Sequence, residues 1–183
     1  MPDPNETCPA TYVERYGDEW KDPDVASCAG GPTLTFNGTT LKLHVSDKVS
    51  LSYKADSGKP TGTDTTGQPV FDYSKERQTL TSQGPIPEGS YWINPNEMGY
   101  NWGGVFRRTT RWSQSAWGSY RVTIHPARKT NTHCRGGFFI HGGRDRGSSG
   151  CIDLTSNIEQ FAADLKKYTG GGACSVPLQV IYS

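Results

Sequence analysis

The chain has 183 residues, with 19 Lys and Arg set against 18 Asp and Glu. That length suits one domain with a real core, and the near-balanced charge argues against the strongly basic surface of a nucleic-acid binder. With 22 glycines, 12 prolines and aromatic residues recurring along the whole length, the composition excludes a disordered chain and predicts short strands joined by many turns.

In chain order, Tyr12 to Trp20 reads as a short helix, and Gly30-Gly31-Pro32 marks a break before the first strand. Residues 1–32 are therefore expected to form an N-terminal extension, and residues 33–183 the main domain. Leu34-Thr35-Phe36 and Leu41 to Val45 flank Asn37-Gly38, the strongest short hairpin signal. Val49 to Tyr53 alternates again, whereas residues 56–83 are Gly-, Thr-, Ser- and Pro-rich and predict a long loop, a length usually tied to function or mobility. Ser90 to Ile93, Tyr120 to Ile124 and Gly137 to Ile140 read as further strands, the last delivering His141 at its end. Ser156 with Glu159 forms a capping-box pattern ahead of Ile158, Phe161, Ala162, Leu165 and Tyr168 at helical spacing, with Gly170 to Gly172 as the stop. A closing strand runs from Val176 to Tyr182. The expected fold class is α+β, mainly β with one principal α-helix.

No stretch of about 18 apolar residues occurs, so no membrane span is expected. Met1 to Glu6 are acidic and polar, without the apolar core of a signal peptide. Either a signal has been removed, or export takes another route.

Five cysteines are present: Cys8, Cys28, Cys134, Cys151 and Cys174. With Cys151 reserved for chemistry, an oxidising compartment permits two disulfides in one of three pairings. Cys8–Cys28, pinning the N-terminal segment, with Cys134–Cys174 is the pairing expected; buried free thiols are the alternative. His125, His133, Cys134 and His141 are candidates for a zinc site, but no tight Cys-x-x-Cys or His-x-x-x-His pair supports one. No metal or other cofactor is expected.

The chemical signal is concentrated between Phe138 and Leu154. A strand ends in His141, a glycine-rich polar loop comes next, and Cys151 stands just before an apolar residue and the principal helix. Cysteine catalysis needs a thiolate, an imidazole to make it and backbone N–H groups to hold an oxyanion. Gly150 allows close approach of backbone to substrate, and a nearby helix start would favour the thiolate. An arbitrary His or Cys is more often a core residue; here both flank one glycine-rich loop in a chain with four histidines.

Ile140-His141-Gly142, then Ser148-Ser149-Gly150-Cys151-Ile152, resembles the signature of the L,D-transpeptidase (YkuD-type) domain. Leu41-Lys42-Leu43 through Ser57-Gly58-Lys59 is similar to that domain's opening hairpin, and Gly84 to Tyr91 to its Thr-Pro-x-Gly-x-Tyr/Phe segment. The likeness covers roughly residues 33 to 183. Two features depart from the housekeeping enzymes, a shorter His-to-Cys loop and Asp153 where Arg is common. Both, with the Gly84-Pro85-Ile86-Pro87-Glu88-Gly89 segment, resemble the divergent branch of antibacterial toxins delivered by type VI secretion.

The resemblance implies a YkuD-like β-sandwich in which Cys151 is the nucleophile and His141 its base. Ser149, Gly150 and the Cys151 N–H would shape the oxyanion site, with Gly142 in the same loop. The substrate would be a peptidoglycan tetrapeptide stem, losing D-Ala to water or exchanging it for another amine. Arg135, Arg144 and Arg146 would hold carboxylates of an acidic stem, or be solvated loop charge. Asp153 would cap the nearby chain or pair with an Arg. Tyr100, Trp102, Trp112 and Trp117 would line a groove, or belong to the core. The implied partners are the secretion apparatus and an immunity protein, and the implied place of action is the target bacterium's periplasm. The rival readings are a housekeeping L,D-transpeptidase, a different cysteine amidase and a non-catalytic wall-binding module.

Overall fold

The structure is a computed structural model and describes residues 4–17, 19–100 and 119–183. Along the chain its elements are α1 (Ala10–Tyr16), β1 (Thr33–Phe36), β2 (Thr40–Ser46), β3 (Val49–Lys54), β4 (Asp56–Ser57), β5 (Gly62–Thr63), β6 (Pro69–Val70) and α2 (Lys75–Gln78). After these come β7 (Gly89–Ile93), β8 (Gly99–Tyr100), β9 (Tyr120–Thr123), β10 (His125–Pro126), β11 (Phe139–His141), β12 (Ile152–Asp153), α3 (Ile158–Thr169) and β13 (Val176–Val180). The chain is mainly β with one long helix, as its patterning predicts. Among the described residues no helix is long and apolar enough to cross a membrane.

Two sheets carry the fold, ordered β10-β7-β13-β1-β2-β3 and β4-β12-β11-β9-β8, with β5 and β6 as a separate ribbon. In β2 and β13 burial alternates, so Leu41, Leu43, Val176, Leu178 and Val180 point into one core. That core also takes Val122, Ile140 and Ile152 from the second sheet and Ile158, Phe161 and Leu165 from α3. Each such burial contributes about 1.5–3 kcal/mol, which ties the sheet that bears the His-to-Cys loop to the larger one.

Local chemistry sets the element ends. The Asn37 side chain accepts from the N–H groups of Thr39 and Thr40 at 3.0 and 2.9 Å, closing the β1–β2 hairpin. Gly170 adopts a left-handed conformation and returns its N–H to the Lys166 carbonyl at 2.9 Å, stopping α3. The N-terminus of α3 differs from expectation. A 3-10 turn, Thr155–Asn157, leads into it, and its cap residue Asn157 makes no side-chain cap bond. The Ser156–Glu159 capping box is not formed: Glu159 accepts instead from the Ser119 hydroxyl at 3.0 Å. The first helix also starts earlier and stops sooner than Tyr12–Trp20, and the 56–83 region contains β4–β6 and α2 rather than loop alone.

The disulfides are Cys8–Cys134 and Cys28–Cys174, with Cα separations of 5.4 and 4.8 Å, and Cys151 is the free cysteine. This corrects the expected Cys8–Cys28 and Cys134–Cys174 pairing. The reason lies in what the N-terminal segment touches. Ser27 forms a parallel bridge with Ser175, bringing Cys28 to Cys174. Asn5 donates to the Thr130 carbonyl at 2.8 Å, and the Tyr12 hydroxyl meets that of Thr132 at 2.8 Å, bringing Cys8 to Cys134. Both bridges therefore staple the extension to distant chain, where loop closure removes most unfolded-state entropy.

Peptide mapping without reduction should yield Cys8 linked to Cys134, Cys28 linked to Cys174, and Cys151 as the thiol. A Cys8–Cys28 linked peptide would overturn this docking of the extension.

Candidate active site

Strands β11 and β12 are parallel neighbours, pairing Ile140 with Ile152 and His141 with Asp153. Side chains alternate across a strand, so Ile140 and Ile152 enter the core while His141, Asp153 and the position of Cys151 share the other face. Cys151 and His141 both line a groove of about 1250 Å³, although only 5% and 2% of their surfaces are exposed.

The loop between them is held from three sides. Asp153 is buried, and its carboxylate accepts from the Thr155 N–H at 2.8 Å and the Gly147 N–H at 3.0 Å. Burial raises its pKa to about 6, against these two N–H donors. Of the two roles expected for Asp153, capping the chain is the one observed. Arg146 instead makes a two-pronged ion pair with Asp56 on β4, Nε to Oδ2 at 2.7 Å and the second nitrogen to Oδ1 at 2.8 Å. Its guanidinium also stacks over Phe71 at 5.3 Å. The Ser148 hydroxyl donates to the Cys151 carbonyl at 2.6 Å.

Gly150 sits at φ +109°, and a Cβ there would press on the Arg135 guanidinium and the Phe138 ring. Only glycine suits that position. A side chain on Gly142 would collide with Ile158 and the Thr155 carbonyl, so the chain just after His141 packs directly on the approach to α3. Ser149 is exposed on the groove, while Gly142 and Gly150 are buried.

Electrostatics at the thiol run against expectation. α3 begins seven residues beyond Cys151, with the 3-10 turn between, so no helix start abuts the sulfur. Burial instead pushes the thiol up to about 12. Its Sγ–H donates to the Gly137 carbonyl at 3.7 Å. Burial also lowers the pKa of His141, opposed by the bond from Nδ1 to the Gly142 carbonyl at 2.6 Å. With Nδ1 carrying the proton, the basic lone pair is on Nε2. At neutral pH both groups rest uncharged.

The three expected arginines separate by burial. Arg135 is 4% exposed, and its guanidinium donates to the carbonyls of Gln78, Pro85 and Gly84 at 2.6, 2.7 and 2.8 Å. It is committed to the protein's own backbone, where it gathers the Gly84–Pro85 segment against the site. Arg146 is committed to Asp56, and Arg144 is exposed on the groove. Cys134, a candidate zinc ligand, is in a disulfide, and His125 bonds to Glu97 at 2.7 Å. Among the described residues no group of three His, Cys, Asp or Glu is gathered to hold a metal ion. Trp102, Trp112 and Trp117 lie outside the described residues, and Tyr100 is described only through the backbone of β8.

Sequence reading missed Asp56, and it missed Arg15, Tyr16, Glu19 and Lys59, which also line the groove. Asp56 pairs from 90 residues away. The N-terminal residues are placed by the Cys8–Cys134 bridge, so only the correct pairing would have pointed to them.

The family model of the Tlde1 domain matches residues 67–170, more than half of the chain, a stretch that includes His141, Cys151 and Asp153. No curated protein shows significant similarity to the chain.

Asp153→Asn supplies one acceptor where two N–H groups converge, and leaves either Gly147 or Thr155 facing an amide NH₂. The substitution should cost about 1–3 kcal/mol of stability in urea unfolding. An unchanged midpoint would show that the carboxylate does not hold the loop.

Proposed function

Because the chain belongs to the Tlde1 domain family of type VI secretion effectors, we propose that it is a cysteine enzyme that edits peptidoglycan stem peptides, acting as an L,D-carboxypeptidase, an L,D-transpeptidase exchanging D-Ala, or both. The observation that carries the reading is His141 and the one free cysteine among the described residues lining a single groove from neighbouring parallel strands.

The chemistry starts from a neutral resting pair. As Cys151 Sγ attacks the carbonyl carbon of the third stem residue, its proton passes to His141 Nε2. Burial pushes the Cys151 thiol up, which favours deprotonation that accompanies attack over deprotonation that precedes it. The oxyanion is held by backbone N–H groups around Gly150 and Cys151. Collapse of the tetrahedral species breaks the amide bond, and His141 returns the proton to the departing D-Ala amine. Water or a D-amino acid amine then attacks the thioester, releasing a tripeptide or an exchanged tetrapeptide. The Nδ1 bond to Gly142 fixes the ring for both proton transfers, the role a carboxylate takes in other triads.

Delivered into a rival's periplasm, such an enzyme removes the donor stems that cross-linking needs. A producer would then require a periplasmic immunity protein, and the secretion apparatus would be the remaining partner.

Disaccharide-tetrapeptide muropeptides incubated with the protein should lose D-Ala, or exchange it for added D-Met, as read by mass spectrometry. Cys151→Ala should abolish both products, and His141→Ala should slow them by roughly 10²–10⁴-fold. Unchanged tetrapeptide with the intact protein would sink the assignment.

The pH profile carries a second expectation. A base must be neutral, and burial lowers the pKa of His141, so its neutral form persists below the ordinary histidine range. The acid limb of kcat/KM should therefore fall below about 6.5. It should stay there in Asp153→Asn. A limb that vanishes in that variant would belong to the Asp153 carboxyl, and a limb above about 6.5 would contradict a desolvated histidine.

A further inference from the structure

The groove has a wall drawn from outside the stretch that the family model matches. Arg15, Tyr16 and Glu19 line it together with His141 and Cys151, whereas the match begins at residue 67.

One two-residue strip, Gly136-Gly137, separates this wall from the nucleophile. The Gly137 N–H donates to Glu19 Oε2 at 3.0 Å, and the Gly137 carbonyl faces Cys151 Sγ at 3.7 Å. A Cβ on Gly136 would collide with the Tyr16 ring, and one on Gly137 would stand 3.2 Å from its Cε1. The Tyr16 ring thus lies flush on the strip because both residues lack side chains. Tyr12, one turn earlier, packs on Tyr16 with ring centres 5.5 Å apart and ties to Thr132. The Cys8–Cys134 bridge fixes the segment two residues before the strip.

Charge singles out one residue of this wall. The Arg15 guanidinium lies 5.4 Å over the Tyr16 ring, is exposed, and forms no salt bridge with the described residues. Arg135 and Arg146 also border the groove, but three carbonyls and Asp56 occupy them. Exposed at the groove, Arg15 offers a planar two-pronged donor to a carboxylate entering from solvent, pre-oriented by the ring beneath it.

We propose that the N-terminal segment is a substrate-binding wall of the groove, in which Arg15 receives a carboxylate of an acidic peptide stem and Tyr16 supports the peptide beside Cys151. The proposal rests on the peptidoglycan reading and adds to it the residues that select an acidic stem. Arg15 and Tyr16 are positioning residues for binding, with no part in the proton transfers.

The test is steady-state kinetics on two tetrapeptide muropeptides, one with free non-terminal stem carboxylates and one with those carboxylates amidated. On the acidic stem, Arg15→Ala should raise KM roughly tenfold with kcat nearly unchanged; on the amidated stem it should match the wild type. Arg15→Lys should recover part of the loss, and Tyr16→Ala should raise KM on both stems. Variants indistinguishable from the wild type on both stems would overturn the wall while leaving the peptidoglycan reading intact. An equal fall in kcat on both stems, with a lowered melting temperature, would also overturn it, by showing a purely structural segment. A wild type that turns over neither stem would overturn both readings together.

Discussion

Ile140 beside Ile152 and His141 beside Asp153 are two rungs of a parallel ladder, and most of the site depends on them. Parallel strands ordinarily need a crossover of a dozen or more residues, usually through a helix. Here residues 142–151 make the return without one. So short a connection must run back along its own two short strands, and the register sets Cys151 beside Phe139, diagonal to His141 on the same face. The core pays nothing extra for this, since Ile140 and Ile152 bury normally on the opposite face. What the ladder does not provide is a reason for the loop to stay folded. That comes from polar ties at its middle, Gly147 to Asp153 and Arg146 to Asp56, which fasten it to β12 and to β4 on that strand's far side.

The same compactness sets the chemistry. A loop packed this tightly excludes water from Cys151, His141 and Asp153, and desolvation dominates all three: thiol and carboxyl rise, imidazole falls. Burial thus favours the uncharged forms of both sulfur and imidazole. In the proposed reaction the substrate would supply what is missing, a carbonyl whose developing negative charge meets backbone N–H groups as the proton leaves sulfur. Burial that makes the resting thiol inert would also spare it from oxidation, which tracks thiolate character and exposure.

Much of this was legible in the sequence because it rests on local pattern. The Asn37-Gly38 turn, the alternation in β2 and β13, the apolar stripe of α3 and its Gly170 stop are each set by residues within a few positions of one another. That His141 and Cys151 share one groove was legible because one glycine-rich loop joins them. What failed to be legible was whatever depended on distant chain. The Ser156–Glu159 pattern is a sound capping box in isolation, yet Glu159 is taken by Ser119, forty residues away. Cys8 is twenty residues from Cys28, but contacts of Asn5 and Tyr12 with Thr130 and Thr132 carry it to Cys134.

The arginines make the same point about function. Sequence places Arg135, Arg144 and Arg146 beside the His-to-Cys loop and offers no means of ranking them, because a guanidinium's role is decided by what else reaches it. Burial turns Arg135 into a brace for the carbonyls of Gln78, Gly84 and Pro85, and β4 supplies the carboxylate that claims Arg146. A buried cation can seldom be left without partners, so the deepest arginines are the ones least able to greet a substrate. The cations that face solvent on the groove, Arg15, Lys59 and Arg144, come from three separate parts of the chain. An acidic ligand would thus be met by charges that only the tertiary fold assembles, around a cysteine that the sequence marks by itself.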